Sequence, residues 1–326
     1  MSYLDFEQPI LELEGKIAEL RRMDDPQLDL RDELKRLEDK VERLLRQTYT
    51  RLTPWQKVQV ARHPSRPRFI KVAAALFPDF TPLAGDRCFG EDAAIIGGLA
   101  TFEGYTVMVL GQERGHDLQS RLQHNFGMAK PEGYRKAQRL MHMAERFGFP
   151  VLTFVDTPGA YPGVGAEERG QAEAIARCID ASLGLTVPVV ATIIGEGGSG
   201  GAIALACADR LIMLEHAVYS VISPEGCASI LWRSADHAAE AAEALRLTAQ
   251  DLEKFGVIDC ILPEPLGGAH RKPDAMLQSL RHILADQLGL TLKHAPRERR
   301  HLRQEKFLNM GRTTTTSSIG KAAAVI

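Results

Sequence analysis

Two glycine-rich stretches are the places in this sequence where residue type and spacing could do chemistry. One is DTPGAYPGVG at 156–165 and the other is GEGGSGG at 195–201. Each follows an apolar run that reads as a buried strand, and each precedes a helical pattern. Backbone N–H groups and the positive end of a helix converge at such a junction, which suits it to holding an anion. Glycine there permits unusual φ and lets a ligand approach the backbone closely. Five glycines in seven residues cost chain entropy, so packing alone explains them poorly.

Three familiar patterns overlap these stretches. Gly195-x-Gly197-x-x-Gly200 fits a dinucleotide-binding fingerprint, with Glu215 twenty residues beyond the first glycine. Against it, the motif sits mid-chain and opens only a short helix. Gly197-x-Ser199-x-Gly201 fits a nucleophile elbow, and Asp209, Glu215, His216 and His237 are available as triad partners. An elbow has no need of the extra glycines. Asp156-x-x-Gly159 resembles the metal-binding turn of GTPases, but no G-x-x-x-x-G-K-[ST] phosphate cradle accompanies it.

The elements that must position these turns are legible around them. Apolar β-branched runs at 93–101 and 105–110 meet at Glu103-Gly104, a hairpin signal. Strands are predicted at 151–155, 187–194, 210–214 and 257–262, separated by helices near 132–147, 167–183, 200–208, 225–232, 235–246, 249–255 and 274–288. This alternation argues for α/β architecture with buried, mostly parallel strands. At the N-terminus, Ile10, Leu13, Ile17 and Leu20, then Leu34, Leu37, Val41 and Leu44, recur at helical spacing around Asp24-Asp25-Pro26. They predict an α-hairpin packed on the body or on a partner. Thr53-Pro54 reads as an N-cap and first helical position. The expected division is a hairpin at 1–52, a catalytic domain at 53–290, and a basic, partly disordered tail at 291–326. HAPRERRHLRQEK in that tail reads as a solvated helix, and the last fifteen or so residues as disordered.

Composition excludes several classes. The chain has 326 residues, 44% hydrophobic and 25% charged, with a net charge of −2. That balance fits an ordinary globular protein and lacks the basic excess of a nucleic-acid binder. Cys88, Cys178, Cys207, Cys227 and Cys260 are scattered, with no C-x-x-C pair, so neither a disulfide framework nor a zinc site is expected in this chain. The acidic MSYLDFEQPI start is unlike a signal peptide, and no apolar run of about 18 residues spans a membrane. A soluble, cytoplasmic protein is the expectation.

Long gap-free segments carry a resemblance. The stretch 147–176 containing the first turn, IGEGGSGGA at 194–202, YSVISPEGCASILW at 219–232 and PEPLGGAH at 263–270 resemble the alpha subunits of bacterial acetyl-CoA carboxylase carboxyltransferase. So do LDFEQPI at 4–10, LAGDR at 83–87, NFGM at 125–128 and PEGYRKA at 131–137. The resemblance runs from about residue 4 to 290. It implies a crotonase-type fold, a spiral of ββα units preceded by the helical hairpin. It also implies a beta-subunit partner in an α2β2 assembly, with zinc on the beta subunit and none here. The implied reaction moves a carboxyl group from biotin, borne on a biotin carboxyl carrier protein, to acetyl-CoA. The product is malonyl-CoA for fatty acid synthesis, and ATP is consumed by a separate biotin carboxylase. A stand-alone crotonase-type acyl-CoA hydratase or decarboxylase is the alternative.

The resemblance also implies a division of labour between the subunits. Two anions need stabilising, the biotin ureido group and the thioester enolate, and preorganised amides serve such charges without a charged side chain. The positions that match the biotin oxyanion hole are Gly200 and Gly201, through their backbone amides. Gly159, Ala160, Gly197 and Gly198 are expected to line the biotin channel. The biotin anion itself takes the methyl proton in this scheme, so no general base is required. Ser199 then becomes a turn or cap residue and Asp156 a loop brace. Glu225, Trp232 and Arg233 are read as interface or wall.

Overall fold

The computed structural model describes residues 4–22 and 30–312. Among them, eight strands form one mixed sheet. A short β1 (Thr81–Pro82) edges β2 (Ile95–Phe102), which pairs antiparallel with β3 (Tyr105–Gln112). Glu103 and Gly104 both take positive φ between them, as a tight hairpin turn demands. From β3 onward the pairing is parallel. β4 (Val151–Thr157) lies beside β3, and β5 (Val189–Gly198) beside β4. β5 then serves two neighbours. Its first half pairs with β6 (Arg210–Leu214) and its end pairs with β7 (Val218–Ser220). β8 (Cys260–Leu262) closes the far edge on β6.

Every residue of β4 and β5 is buried, which is why both read as continuous apolar runs rather than alternating ones. Helices Pro131–Phe147 and Gln171–Gly184 pack on each other, the first also on β2 and β3 and the second on helix Ser199–Ala206; the first ends at Gly148 in the left-handed region. An aromatic cluster of Phe69, Phe77, Phe102 and Phe154 fills the core behind β4.

The predicted N-terminal helices run over Gln8–Arg22 and Arg31–Tyr49. Ile10, Leu13, Ile17, Val41 and Leu45 bury their stripe against Val60 and Leu266 of the body. Arg271 pins the first helix through Glu7 at 3.0 Å and Glu14 at 2.7 Å. The Asp24-Asp25-Pro26 turn lies outside the described residues, as do 313–326 with the low-complexity end. Thr53 caps helix Pro54–Ala61 in a full capping box with Gln56.

Three expectations change. The strand expected at 187–194 continues to Gly198, because its end gains β7 as a second partner. The GEGGSGG stretch is therefore half strand and half helix rather than a loop. The helix expected near 167–183 is two, Val164–Glu168 and Gln171–Gly184, with Gly170 at φ +77° between them. Finally, the basic stretch is not merely solvated. It forms helix Pro296–Asn309 and buries Arg299 and Arg303. The Arg303 guanidinium meets Asp209 at 2.9 Å and donates to the carbonyls of Ser182, Leu185 and Val187. Those carbonyls lie at and just past the end of helix Gln171–Gly184, where acceptors lack intrahelical partners.

Candidate functional site

The two glycine turns meet at the C-terminal ends of β4 and β5, where adjacent parallel strands release the chain into helices. Thr157 is still in register with Gly197 after an irregularity between Val155 and Thr157. The turns then press backbone on backbone. A Cβ on Gly198 would fall 2.2 Å from the Pro158 carbonyl oxygen, and one on Gly201 would fall 2.8 Å from the Ala160 nitrogen. Only glycine permits that approach. Gly159 holds φ +147° across from Ser199. The structure thus brings Gly159, Ala160, Gly198 and Gly201 together. Gly197 lies under the Tyr219 ring, where a Cβ would be 2.9 Å from a ring carbon.

Gly200 differs from its neighbours. A Cβ there would meet only Ile175, at an ordinary 3.6 Å. It is half-buried and, with Ser199, lines a cavity of about 430 Å³ whose other walls include Ile203, Tyr219, Val221 and Phe307. The helix it opens runs over Ser199–Ala206, so the first-turn amides, Gly200 and Gly201 among them, have no intrahelical acceptor. Gly201 is buried behind this mouth, and its carbonyl accepts from Gln112 Nε2 at 2.7 Å. The same Gln112 side chain accepts from the Asp156 N–H at 3.2 Å, tying the two turns together. The Gly159 N–H is committed to the Thr157 hydroxyl at 3.1 Å, whereas the Ala160 N–H has no acceptor among the described residues.

Beneath the turns runs an alternating series of charges. Arg68 meets Asp156 at 2.7 Å, Arg114 meets Glu196 at 2.8 Å, and Arg62 reaches both Glu196 at 2.6 Å and Glu225 at 2.5 Å. Arg114 also lies 3.5 Å from Asp156, which joins the pairs into one chain. Burial alone would raise the Asp156 carboxyl, but Arg68 and Arg114 outweigh it and hold the group below its ordinary range. Asp156 also accepts from the Glu196 N–H at 3.1 Å. It thereby braces the ends of the two strands.

The competing patterns lose their chemistry in this geometry. Ser199 does sit at φ +54°, as an elbow serine would, but none of the hydrogen bonds among the described residues engages its hydroxyl. It caps no helix amide either, since the helix N-cap is Gly198 without a side-chain cap. Glu215 is half-buried and accepts from the Glu264 N–H at 3.0 Å. His237 is exposed beside Glu240 and Trp232. The GTPase-like Asp156 is spent on arginines. No group of three or more His, Cys, Asp or Glu among the described residues is placed to hold a metal.

Sequence reading missed Arg62, Arg66, Arg68, Arg114, Gln112 and Glu196. Four of these are arginines whose carboxylate partners lie more than 80 residues away. The one local signal is the HPSRPR run at 63–68, which clusters two of these arginines among prolines. Arg66 is fully buried and pairs with equally buried Glu264 at 2.5 Å. Burial pushes the Glu264 carboxyl up, but Arg66 and then the His216 ring and amide overcome it, taking the group from 4.5 to about 2. A carboxyl depressed in the folded state stabilises above its unfolded value, and that contribution is lost as pH falls through the folded one. Stability is therefore expected to fall by on the order of 3 kcal/mol between about pH 4.5 and pH 2 on this account. Urea unfolding across that range checks it, and Glu264→Gln should flatten the acid limb.

Comparison with known proteins converges on one family. The family model described as acetyl co-enzyme A carboxylase carboxyltransferase-like matches residues 3–311, beyond the limit of about 290 expected from the motifs. The acetyl-coenzyme A carboxylase carboxyl transferase subunit alpha of Paramagnetospirillum magneticum is 61% identical over 313 residues, covering 96% of this chain and 99% of its own. The protein of the same name from Acidiphilium cryptum is 62% identical, covering 95% and 98%. Among solved structures, a Pseudomonas malonate decarboxylase hetero-tetramer in complex with coenzyme A aligns with TM-score 0.59 at 19% identity, over 77% of this chain and 96% of that one. Transcarboxylase 12S aligns at 0.57 and 18%, over 72% and 44%. These likenesses show that the mixed α/β fold is similar to theirs. The chain belongs to the acetyl-CoA carboxylase carboxyltransferase alpha-subunit family.

Proposed function

We propose that this chain, with a beta subunit, transfers a carboxyl group from biotin on its carrier protein to acetyl-CoA, giving malonyl-CoA. The observation that carries the reading is near-full-length identity above 60% to alpha subunits of that enzyme. The turn geometry supports it. A biotin ring has apolar flanks and one strongly accepting ureido oxygen. The cavity beside Gly200 offers Ile203, Tyr219 and Val221 as walls and helix-start amides at its edge. Biotin, when bound, supplies the carboxyl group. The chain's own part is to hold an anionic oxygen on the Gly200 and Gly201 amides, with Ala160 the nearest further donor. Gly159, Gly197 and Gly198 shape the channel, and Gly159 does so without lending its amide. No side chain need exchange a proton, in keeping with an Asp156 locked among arginines.

The rest of the reading follows from the same family. The assembly is α2β2, works with the carrier protein and an ATP-using biotin carboxylase, and is cytoplasmic. Among the described residues no helix is long and apolar enough to cross a membrane. The spiral of ββα units starts at the β2–β3 hairpin, and β5, shared between β6 and β7, is where the sheet turns. The hairpin at 1–52 is a unit of its own that packs on the body from 53. Beside the cavity, Val221, Ile230, Leu231 and Trp232 are exposed on and before helix Pro224–Trp232. That apolar face is where the beta subunit would sit. Co-expression with a zinc-ribbon beta subunit tests this. The two should co-purify as a complex with zinc in the partner alone. Tightly held zinc on this chain purified by itself, or no complex, would count against it.

A further inference from the structure

The basic stretch HAPRERRHLRQEK has no role in the chemistry above. Its helix, Pro296–Asn309, helps to wall a second cavity of about 400 Å³. This cavity opens at Arg210, the first residue of β6, and Asp259, just before β8. It thus lies at the N-terminal end of β6, whose parallel neighbour β5 carries a glycine turn at its C-terminal end, and beside the start of β8.

Its charges do not balance. Five lining residues are cationic and two are carboxylates. Both carboxylates are already engaged. Asp209 is held by Arg303 at 2.9 Å, and Asp259 by Lys306 at 2.5 Å and Arg210 at 3.2 Å. Arg299 is left over. It is buried, and its guanidinium donates to the backbone carbonyls of Thr291 at 2.8 Å, Thr186 at 2.6 Å and His294 at 2.6 Å. No carboxylate pairs with it among the described residues, and a guanidinium carries five donors, so two remain. Burial and the like charge of Arg303 disfavour its charged form, and Asp209 and Glu145 offset this only in part. At the rim, the Lys293 ammonium is exposed and has no partner among the described residues. A buried cation without a counter-ion is costly unless an anion joins it.

We propose that this cavity is an anion site that takes a phosphate group, held by Arg299, Arg210 and Lys293. Leu290 and Leu302, both partly exposed, flank the opening and offer an apolar wall to whatever body carries the phosphate. The site is distinct from the transfer centre. The same helix nonetheless lends Phe307 to the cavity beside Gly200, and Met310 follows just beyond its end, so an anion held here braces one wall of that cavity.

Calorimetric titration of the full chain at constant ionic strength tests the proposal, with inorganic pyrophosphate, inorganic phosphate and adenosine monophosphate as probes. Saturable binding of pyrophosphate at one site per chain is expected. Lys293→Glu, at an exposed position that leaves the fold alone, should weaken it by about tenfold or more. Arg210→Gln should weaken it as well. Lys71→Glu, which makes the same charge change outside the cavity, should leave it unchanged. Tighter binding of adenosine monophosphate than of inorganic phosphate would support the site and assign it to an organic phosphate held against Leu290 and Leu302; the reverse order would support it as a site for the inorganic ion. Absence of saturable binding for all three probes, or equal binding by wild type and Lys293→Glu, overturns the proposal.

Discussion

A Gly200→Val variant of the assembled complex is expected to fold, to bind its partner, and to transfer carboxyl groups about 10²–10³ times more slowly. Gly200 has ordinary backbone geometry, and a Cβ there meets only Ile175, at 3.6 and 3.7 Å. The fold should therefore accept a side chain. The cavity mouth should not, because Gly200 and Ser199 form its edge. A branched side chain there crowds the oxygen that the helix-start amides would hold. Gly201→Val is the contrasting case. Its Cβ would lie 2.8 Å from backbone atoms of both Gly159 and Ala160. Neither can yield cheaply, so a loss of about 1–3 kcal/mol in stability is expected before any effect on chemistry. Steady-state transfer rates, with thermal melts and sizing of each complex, separate the two. A folded, assembled Gly200→Val complex working at near wild-type rate would place the oxyanion site elsewhere.

Asp156→Asn is expected to cost about 3–5 kcal/mol of stability, the effect of removing one partner from a buried ion pair. Asp156 is fully enclosed, and one carboxylate serves Arg68, Arg114 and the Glu196 N–H. An amide leaves Arg68 with the His63 carbonyl at 3.3 Å and no carboxylate. Arg114 retains Glu196, so the damage centres on Arg68 and on the register of the β4 and β5 ends. Urea unfolding of the purified chain measures it. The residual activity of folded Asp156→Asn should keep the wild-type pH profile, because the residue titrates no proton in the reaction. A loss of the alkaline or neutral activity limb with stability intact would instead make Asp156 a base.

How much of this was legible in the sequence follows from what each feature depends on. Helices and strands whose apolar spacing is local were readable. The Glu103-Gly104 hairpin, the Thr53 N-cap and the stripe from Ile10 to Ile17 all appear where the pattern puts them. The glycine turns were readable as close-approach sites because only glycine serves there. Their individual roles were not. Gly159 and Ala160 look alike in sequence, yet Thr157 takes the Gly159 amide and leaves the other open. Gly200 and Gly201 are adjacent, yet one faces the cavity and the other the Ala160 backbone. The charge series under the turns was invisible because Arg62, Arg66 and Arg68 meet partners from β4, β5 and the loop after β8. The basic 294–306 stretch misled for a related reason. Composition suggests a solvated helix, but Arg303 is buried by a carboxylate and carbonyls supplied from residues 182–209.

The central claim is that the chain acts as one half of a biotin-dependent carboxyltransferase. The most direct measurement is formation of acetyl-CoA from malonyl-CoA with free biocytin as carboxyl acceptor, made on the co-purified complex and on this chain alone. The account predicts turnover that requires both subunits and biocytin together. Acyl-CoA turnover by this chain alone, without biocytin and at the rate of the complex, would contradict it and point to a stand-alone decarboxylase or hydratase.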